Sequence, residues 1–481
     1  MLLEAARSRL HAEGGGVVVH ASGTLDKAAE GQGIAPGRAS PGPYRERLAL
    51  SPGDTVAWSY HETRFDGTTE SVTEAYPSDT TRLFVVDGLR LGIPARADDF
   101  SEARARLARR LPGGLLADVL AGGEPGRVSS EVDGTVVDAV LSNGTAVRIR
   151  LVGRPPRVAS TSYDAVLPGR GPATITWWFD DYREGPGGTW MPWRYGSRVG
   201  DVPYTDLTVD SITRDASAMV DVPDGYRVLP VRSVAGEAPE PEPLELRALD
   251  DGIHTVPGVR GGFAPLVVEL PEGLLVVDAP SSFPLLGYVP VGETDPGPSM
   301  SWASDRLVRF LGEAFPGVPI RWVVLTHGHE DHIGGVRAFV AAGATVVAAP
   351  VLRRPVEALV SLPGSVVPDI LAAAGRALDF RAVEGPLTLG TGPRAVDVVP
   401  IGDNPHAQGM LVIRLPGQGL VYVSDLATPG PLAGYPDADH AALDRFFAEW
   451  LDRQGWRVER VAAMHGSGVL TPEYLDRAWM R

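Results

Sequence analysis

"IRWVVLTHGHEDHIGGVRAFVAAG", residues 320–343, decides how this chain is read. It opens as a continuous apolar strand and closes as a helix that stops at Gly343. Between them lie His327, His329, Glu330, Asp331 and His332. A strand ending in a tight loop can aim several imidazoles and carboxylates at one point, and these are natural ligands for zinc and similar ions. His327 and His329 are two apart on extended chain and so project the same way. Asp331 and His332 follow where the chain turns into the helix, where they would face a second ion.

Two ions need more ligands than one loop carries. "GDNPHAQGMLVIRLP" offers His406 just before an apolar strand, "GLVYVSDLATPG" offers Asp425 directly after the next strand, and "VERVAAMHGSG" offers His465 after the last. The surrounding pattern alternates strands with helices. "FAPLVVEL" and "GLLVVDA" flank the turn Pro271-Glu272-Gly273, "SDRLVRFLGEAF" has helical spacing, and "TVVAAP" follows Gly343 as a strand. An α/β layered domain with buried sheets is expected from this succession.

The chain has 481 residues, 44% of them apolar, more than one core usually supports. A seam falls at "AGEAPEPEPLE", residues 235–245, where proline alternates with acid. The expected domains are 1–240 and 247–481. In the first, "TVVDAVLSNGTAVRIRLVG" predicts a hairpin around Asn143-Gly144 and "TITWWFDDYREGPGGTWMPWRYGSRV" a pair turning at Gly185 to Gly188. "YTDLTVDSITRD" adds a strand. One helix over "DFSEARARLARRL" is expected, capped by Ser101 and stopped by Pro112-Gly113. The domain is therefore mostly antiparallel β, with residues 12–80 unassigned. The aromatics Trp177, Trp178, Phe179, Tyr182, Trp190, Trp193 and Tyr195 are expected to pack on one another across the sheet.

A net charge of −16 removes the broad basic footprint that nucleic acid requires. With no cysteine, disulfides, thiolate ligands and a cysteine nucleophile are excluded, and Lys27 is the only lysine. No signal peptide or membrane-spanning run is legible, so the chain as written reads as cytoplasmic, or periplasmic or secreted if its start is trimmed. The expected partner is a small-molecule substrate; oligomeric state is not legible.

The C-terminal part resembles the metallo-β-lactamase fold superfamily over approximately residues 247–481, through H-x-H-x-D-H at His327, His329, Asp331 and His332 and the ordered His406, Asp425 and His465. The resemblance implies a four-layer αββα sandwich with a dinuclear metal site at one edge. It assigns His327, His329 and His406 to one metal and Asp331, His332 and His465 to the other, bridged by Asp425. It points to members with an all His/Asp site. "NPHAQGMLVIRLPGQGLVYVSDLATPG" further resembles bacterial metallo-hydrolases of this superfamily that carry an extra N-terminal β domain.

Two Zn(2+) are the expected cofactors, with Fe or Mn able to use the same ligands. A zinc pair lowers the pKa of a bound water to around neutrality, which supplies a hydroxide nucleophile. Asp331 is the candidate to orient it and receive a proton. Asp278, at the end of "GLLVVDA", is the candidate acceptor behind a ligating imidazole. The expected reaction is hydrolysis of a small-molecule ester, lactone, thioester or β-lactam. Alternatives are a phosphodiesterase, an iron redox enzyme, and an apolar-ligand carrier with a structural metal. His254 and His440 are expected at the surface or at strand ends. His11, His20 and His61 read as ordinary polar residues. Residues 280–302, with Phe283, Leu285, Leu286, Tyr288 and Trp302, form a candidate lid.

Overall fold

A computed structural model describes residues 3, 4, 6 and 17–471, apart from 37, 51–54, 89, 97–99, 123–125, 132–133, 168–170, 187, 214–220, 234–242, 260–262, 282–300, 368, 428–440 and 466–468. Residues 282–300 of the candidate lid, His11, His440 and most of the seam fall outside the described residues, whereas Trp302 of the lid opens a helix, Trp302–Ala314.

The N-terminal part is one 15-stranded sheet. Both expected hairpins form. Gly134–Val140 pairs antiparallel with Ala146–Val152 around Gly144, and Gly171–Glu184 with Trp190–Val199. Val202–Thr213 then pairs with Val17–Leu25, which is in turn bonded to Gly42–Leu50. The unassigned opening therefore supplies strands Val17–Leu25, Gly42–Leu50, Val56–Thr63 and Thr69–Ser78. In Gly42–Leu50 buried and exposed positions alternate, the period of a strand with one covered face. Glu46 lies inside that covered face, accepting from Tyr44, Trp58 and Tyr195 and paired with Arg110, whose guanidinium lies 4.5 and 5.1 Å from the Trp58 and Trp177 rings. Trp177, Phe179 and Tyr195 are buried in the same core, with Tyr182 and Trp193 packed on it. Five of the seven aromatics thus pack on their own sheet, while Trp178 and Trp190 are partly exposed.

The helical segment differs from expectation. Ser101 is the first residue of helix Ser101–Ala108, not its cap, and Pro112 opens a second helix, Pro112–Gly122. Proline is tolerated at a first helical position because its missing N–H would have no intrahelical partner there.

The C-terminal part is a four-layer αββα sandwich of a 7-stranded and a 6-stranded sheet. Alternation builds the layers. In Gly273–Val277, Leu274 and Val276 face the helices Trp302–Ala314 and Val336–Ala342, while Leu275 and Val277 face the other sheet. In that second sheet Leu420 and Tyr422 meet them, and Val421 and Val423 turn outward onto helix Ala441–Gln454. Each such fully buried side chain contributes roughly 1.5–3 kcal/mol, so strands apolar on both faces are held centrally.

The helical layer is pinned by Arg337, 1% exposed. It pairs with Asp369 through two nitrogens and donates to the carbonyls of Leu359, Val360 and Leu362. Beside this pair, Asp305 is buried with no hydrogen-bond partner on its Oδ1. Burial, then the Asp369 charge, raises its pKa from 3.8 to about 6, against Arg309 and Arg337. A carboxyl whose folded pKa is raised stabilises the fold when protonated and loses that contribution as pH rises through the folded value. Asp305→Asn is accordingly expected to raise the melting temperature at about pH 7.5 and leave it nearly unchanged at about pH 4. Equal shifts at both pH values would contradict this origin.

Candidate metal centre

Strand Ile320–Leu325 delivers the motif to the edge where the two sheets meet, and the Leu411 N–H donates to the Thr326 carbonyl across them. The chain bends at His327, and His329 is extended just before helix Glu330–Ile333 begins. Gly328 has no room for a side chain: a Cβ there would stand 2.7 Å from Leu352 Cδ2.

All seven candidate ligands converge. His327, His329, His406 and Asp425 form one group and Asp331, His332, Asp425 and His465 a second, with ligand atoms in each within 4.8 Å of one another. Asp425 joins them. Its Oδ2 lies 3.7 Å from His327 Nε2 and 3.3 Å from His406 Nε2. Its Oδ1 lies 3.0 Å from His332 Nε2 and 3.3 Å from His465 Nε2. Asp331 Oδ2 stands 3.4 Å from His332 Nε2 and 3.8 Å from His465 Nε2.

This donor set fits divalent cations. His327 Nε2, His329 Nδ1 and His406 Nε2 are buried and make no hydrogen bond among the described residues, and burying such atoms costs free energy unless something binds them. In the second group His465 Nε2 and His332 Nε2 point at each other 3.2 Å apart. A cation between lone pairs removes both penalties.

Electrostatics divide the candidate ligands: His327 and His329 are kept neutral and both carboxyls ionised, whereas His406 and His332 are held toward the protonated form, whose proton a bound cation would displace. Burial, followed by neighbouring imidazoles, presses His327 well below its usual range and His329 down to about 3. Burial, the largest influence, opposes the charge on Asp425 and Asp331, but the surrounding imidazoles, His332 foremost and His465 with it, together hold both carboxyls below their usual range. Burial also opposes charge on His406, yet Asp425 and Asp66 raise it to about 9. In His332, likewise, Asp425, Asp331 and Asp278 prevail over burial and raise the ring.

Behind the ligands lies a set of acceptors and donors. Asp278 is fully buried with φ +66° and accepts from Thr326 N at 2.7 Å, Thr326 Oγ1 at 2.9 Å, His332 Nδ1 at 3.0 Å and Ser424 Oγ at 3.1 Å. His327 Nδ1 meets Thr326 Oγ1. Phe263 walls the second group, its ring 4.5 Å from that of His465. His254 is not in the site; it pairs with Glu269 at 3.0 Å.

Three partners come from the N-terminal sheet and were not anticipated from sequence. Gln32 Nε2 donates to Asp331 Oδ1 at 2.7 Å, the Gly33 carbonyl faces His329 Nε2 at 3.2 Å, and Asp66 Oδ2 faces His406 Nδ1 at 3.0 Å. "RFDGTT" signals a turn around Asp66-Gly67 and nothing more.

A largely buried cluster of five imidazoles and two carboxylates at the edge of an αββα sandwich forms two donor groups that could hold metal ions. Residues 294–462 match the model of the metallo-beta-lactamase superfamily, and the C-terminal region has the metallo-β-lactamase fold. Similar solved structures include a metallo-beta-lactamase from Pontibacter korlensis at 18% identity, covering 50% of this chain and 98% of that one, TM-score 0.33. The metallo-beta-lactamase FIM-1 from Pseudomonas aeruginosa in its mono-zinc form shows 18% identity, covers 50% and 96%, and has a TM-score of 0.34. A metallo beta lactamase from Hirschia baltica shows 15%, covers 50% and 97%, and has a TM-score of 0.33. No curated protein matches. No helix among the described residues is long and apolar enough to cross a membrane.

Proposed function

We propose that the chain is a dinuclear, zinc-dependent hydrolase of a small-molecule ester, lactone, thioester or β-lactam, with a catalytic domain at 247–481 behind an N-terminal domain at 1–240. The observation that carries the reading is Asp425, whose two oxygens serve both donor groups. His327, His329 and His406 would hold one ion, and Asp331, His332 and His465 the other. Bound there, the ions would supply water of near-neutral pKa and a Lewis acid for a carbonyl oxygen.

The chain's own residues do the rest. Gln32 occupies Asp331 Oδ1, which leaves Oδ2 turned toward His332 and His465 as the proton acceptor. Phe263 excludes water beside His465. The charge of −16 disfavours phosphodiester polymers as substrates.

The test is elemental analysis of the purified full chain together with turnover of chromogenic esters, lactones, thioesters, a cephalosporin and a phosphodiester. Near two zinc per chain, with acyl-bond hydrolysis lost in His327→Ala, is the expected result. Iron without turnover, or no bound metal, would sink the reading.

A further inference from the structure

We propose that the N-terminal β domain is a working part of the metal centre and that Asp66 is its principal positioning residue, fixing His406 so that Nε2 is bare for the first metal. The inference rests on reading the seven residues as ligands.

The geometry is specific. His406 sits in a loop held by Asn404, whose Oδ1 accepts from the N–H groups of His406 and Ala407, but those bonds leave the imidazole free to turn. Asp66 Oδ2 stops it at Nδ1. Both residues are buried. An ionised carboxylate can only accept, so Nδ1 carries the proton and the lone pair stays on Nε2, the atom facing Asp425 and His327. The other Asp66 oxygen is occupied separately, accepting from Thr68 N at 3.0 Å and Thr68 Oγ1 at 2.7 Å. The carboxylate is thus anchored on its own turn and presents one oxygen to the other domain.

A second segment of the same domain, a short helix and the loop after it, acts on the neighbouring ligands. Asp26 caps the short helix Lys27–Glu30, and Gly31 ends it with φ +90° while a Cβ there would lie 3.3 Å from Glu330 Cβ. Only glycine combines that backbone with that approach. The next residues are laid along the ligand loop. Gln32 holds Asp331, the Gly33 carbonyl accepts a hydrogen bond from the N–H of His329 Nε2 and so leaves Nδ1 bare, and the Ile34 carbonyl accepts from Gln408 N at 2.6 Å, two residues beyond His406. Each contact selects the tautomer or rotamer that donates inward.

Asp66→Asn separates this role from a merely structural one. Asparagine keeps an oxygen for Thr68 and so keeps the turn, but it offers an N–H to His406 Nδ1. That contact moves the imidazole proton to Nε2, the atom needed for the metal. Thr68→Val is the opposite control, since it weakens the turn and leaves Oδ2 on His406. The full-length protein, stripped of metal, is titrated with cobalt(II) against a competing chelator. Stoichiometry, two dissociation constants and the visible absorption of each bound cobalt are read, with circular dichroism recorded in parallel.

In Asp66→Asn one of two cobalt affinities is expected to fall ~10–100-fold with its absorption band altered, and in Thr68→Val both to stay within about threefold of the unsubstituted chain. Unchanged affinities and spectrum in a folded Asp66→Asn protein would overturn the inference alone. An equal loss in Thr68→Val would assign Asp66 to the turn and also overturn it. If the unsubstituted chain binds no cobalt, the ligand reading and this inference fall together.

Discussion

Asp425→Ala is expected to reduce bound metal from about two ions to at most one per chain and to lower hydrolysis by roughly a thousandfold or more, about 4 kcal/mol of transition-state stabilisation. The size follows from the position. One carboxylate stands against His327 and His406 through Oδ2 and against His332 and His465 through Oδ1. Its removal takes a ligand and a negative charge from both groups at once, whereas His465→Ala touches the second group alone. Without Asp425 the cluster keeps only Asp331 as a carboxylate ligand against five imidazoles. Metal analysis and turnover of the same preparation check the result. Two ions retained in Asp425→Ala would refute the bridging role.

Asp278→Ala is expected to be the most damaging single change to stability in this region, costing about 3 kcal/mol or more even in metal-stripped protein. Four bonds end on this buried carboxylate, and its deletion leaves Thr326 N, Thr326 Oγ1, His332 Nδ1 and Ser424 Oγ without that acceptor at the meeting of two sheets. Alanine is also strained at φ +66°, a backbone that asparagine and aspartate tolerate better. Asp278→Asn should therefore unfold later than Asp278→Ala. It should still bind metal poorly, because an amide N–H turned to His332 Nδ1 shifts the ring proton toward Nε2. Thermal melts with and without a chelator separate the two effects. A melting temperature for Asp278→Ala within a degree or two of the unsubstituted chain would contradict the assignment, since the expected drop is on the order of 10 °C.

Asp278 also marks how far sequence reading reached. Its place at the end of "GLLVVDA" suggested an acceptor behind a ligand, and in the structure its carboxylate stands 3.0 Å from His332 Nδ1. The hairpin at Asn143-Gly144 and the helix stop at Gly343 were legible for the same reason: turn chemistry is local, and both glycines adopt positive φ. The strands of residues 17–78 were not legible. Their composition is rich in Gly, Ser, Thr and Pro, and their pairing with strands such as Val202–Thr213 is decided far along the chain.

By itself the sequence singled out the seven donors that the fold brings together, because a strand that ends in H-x-H-x-D-H supplies four of them in one short loop and the resemblance pointed to the remaining three at later strand ends. It also determined the chemistry those donors allow, since imidazole and carboxylate with no cysteine leave few choices. Only the tertiary structure decided which atoms hold those ligands in place. Asp66, Gln32 and Gly33 are 340, 299 and 296 positions from the residues they touch. No local pattern carries a contact of that separation; it exists because the β domain packs its Gln32 and Asp66 loops against the metal edge of the sandwich, where buried imidazole N–H groups must find acceptors.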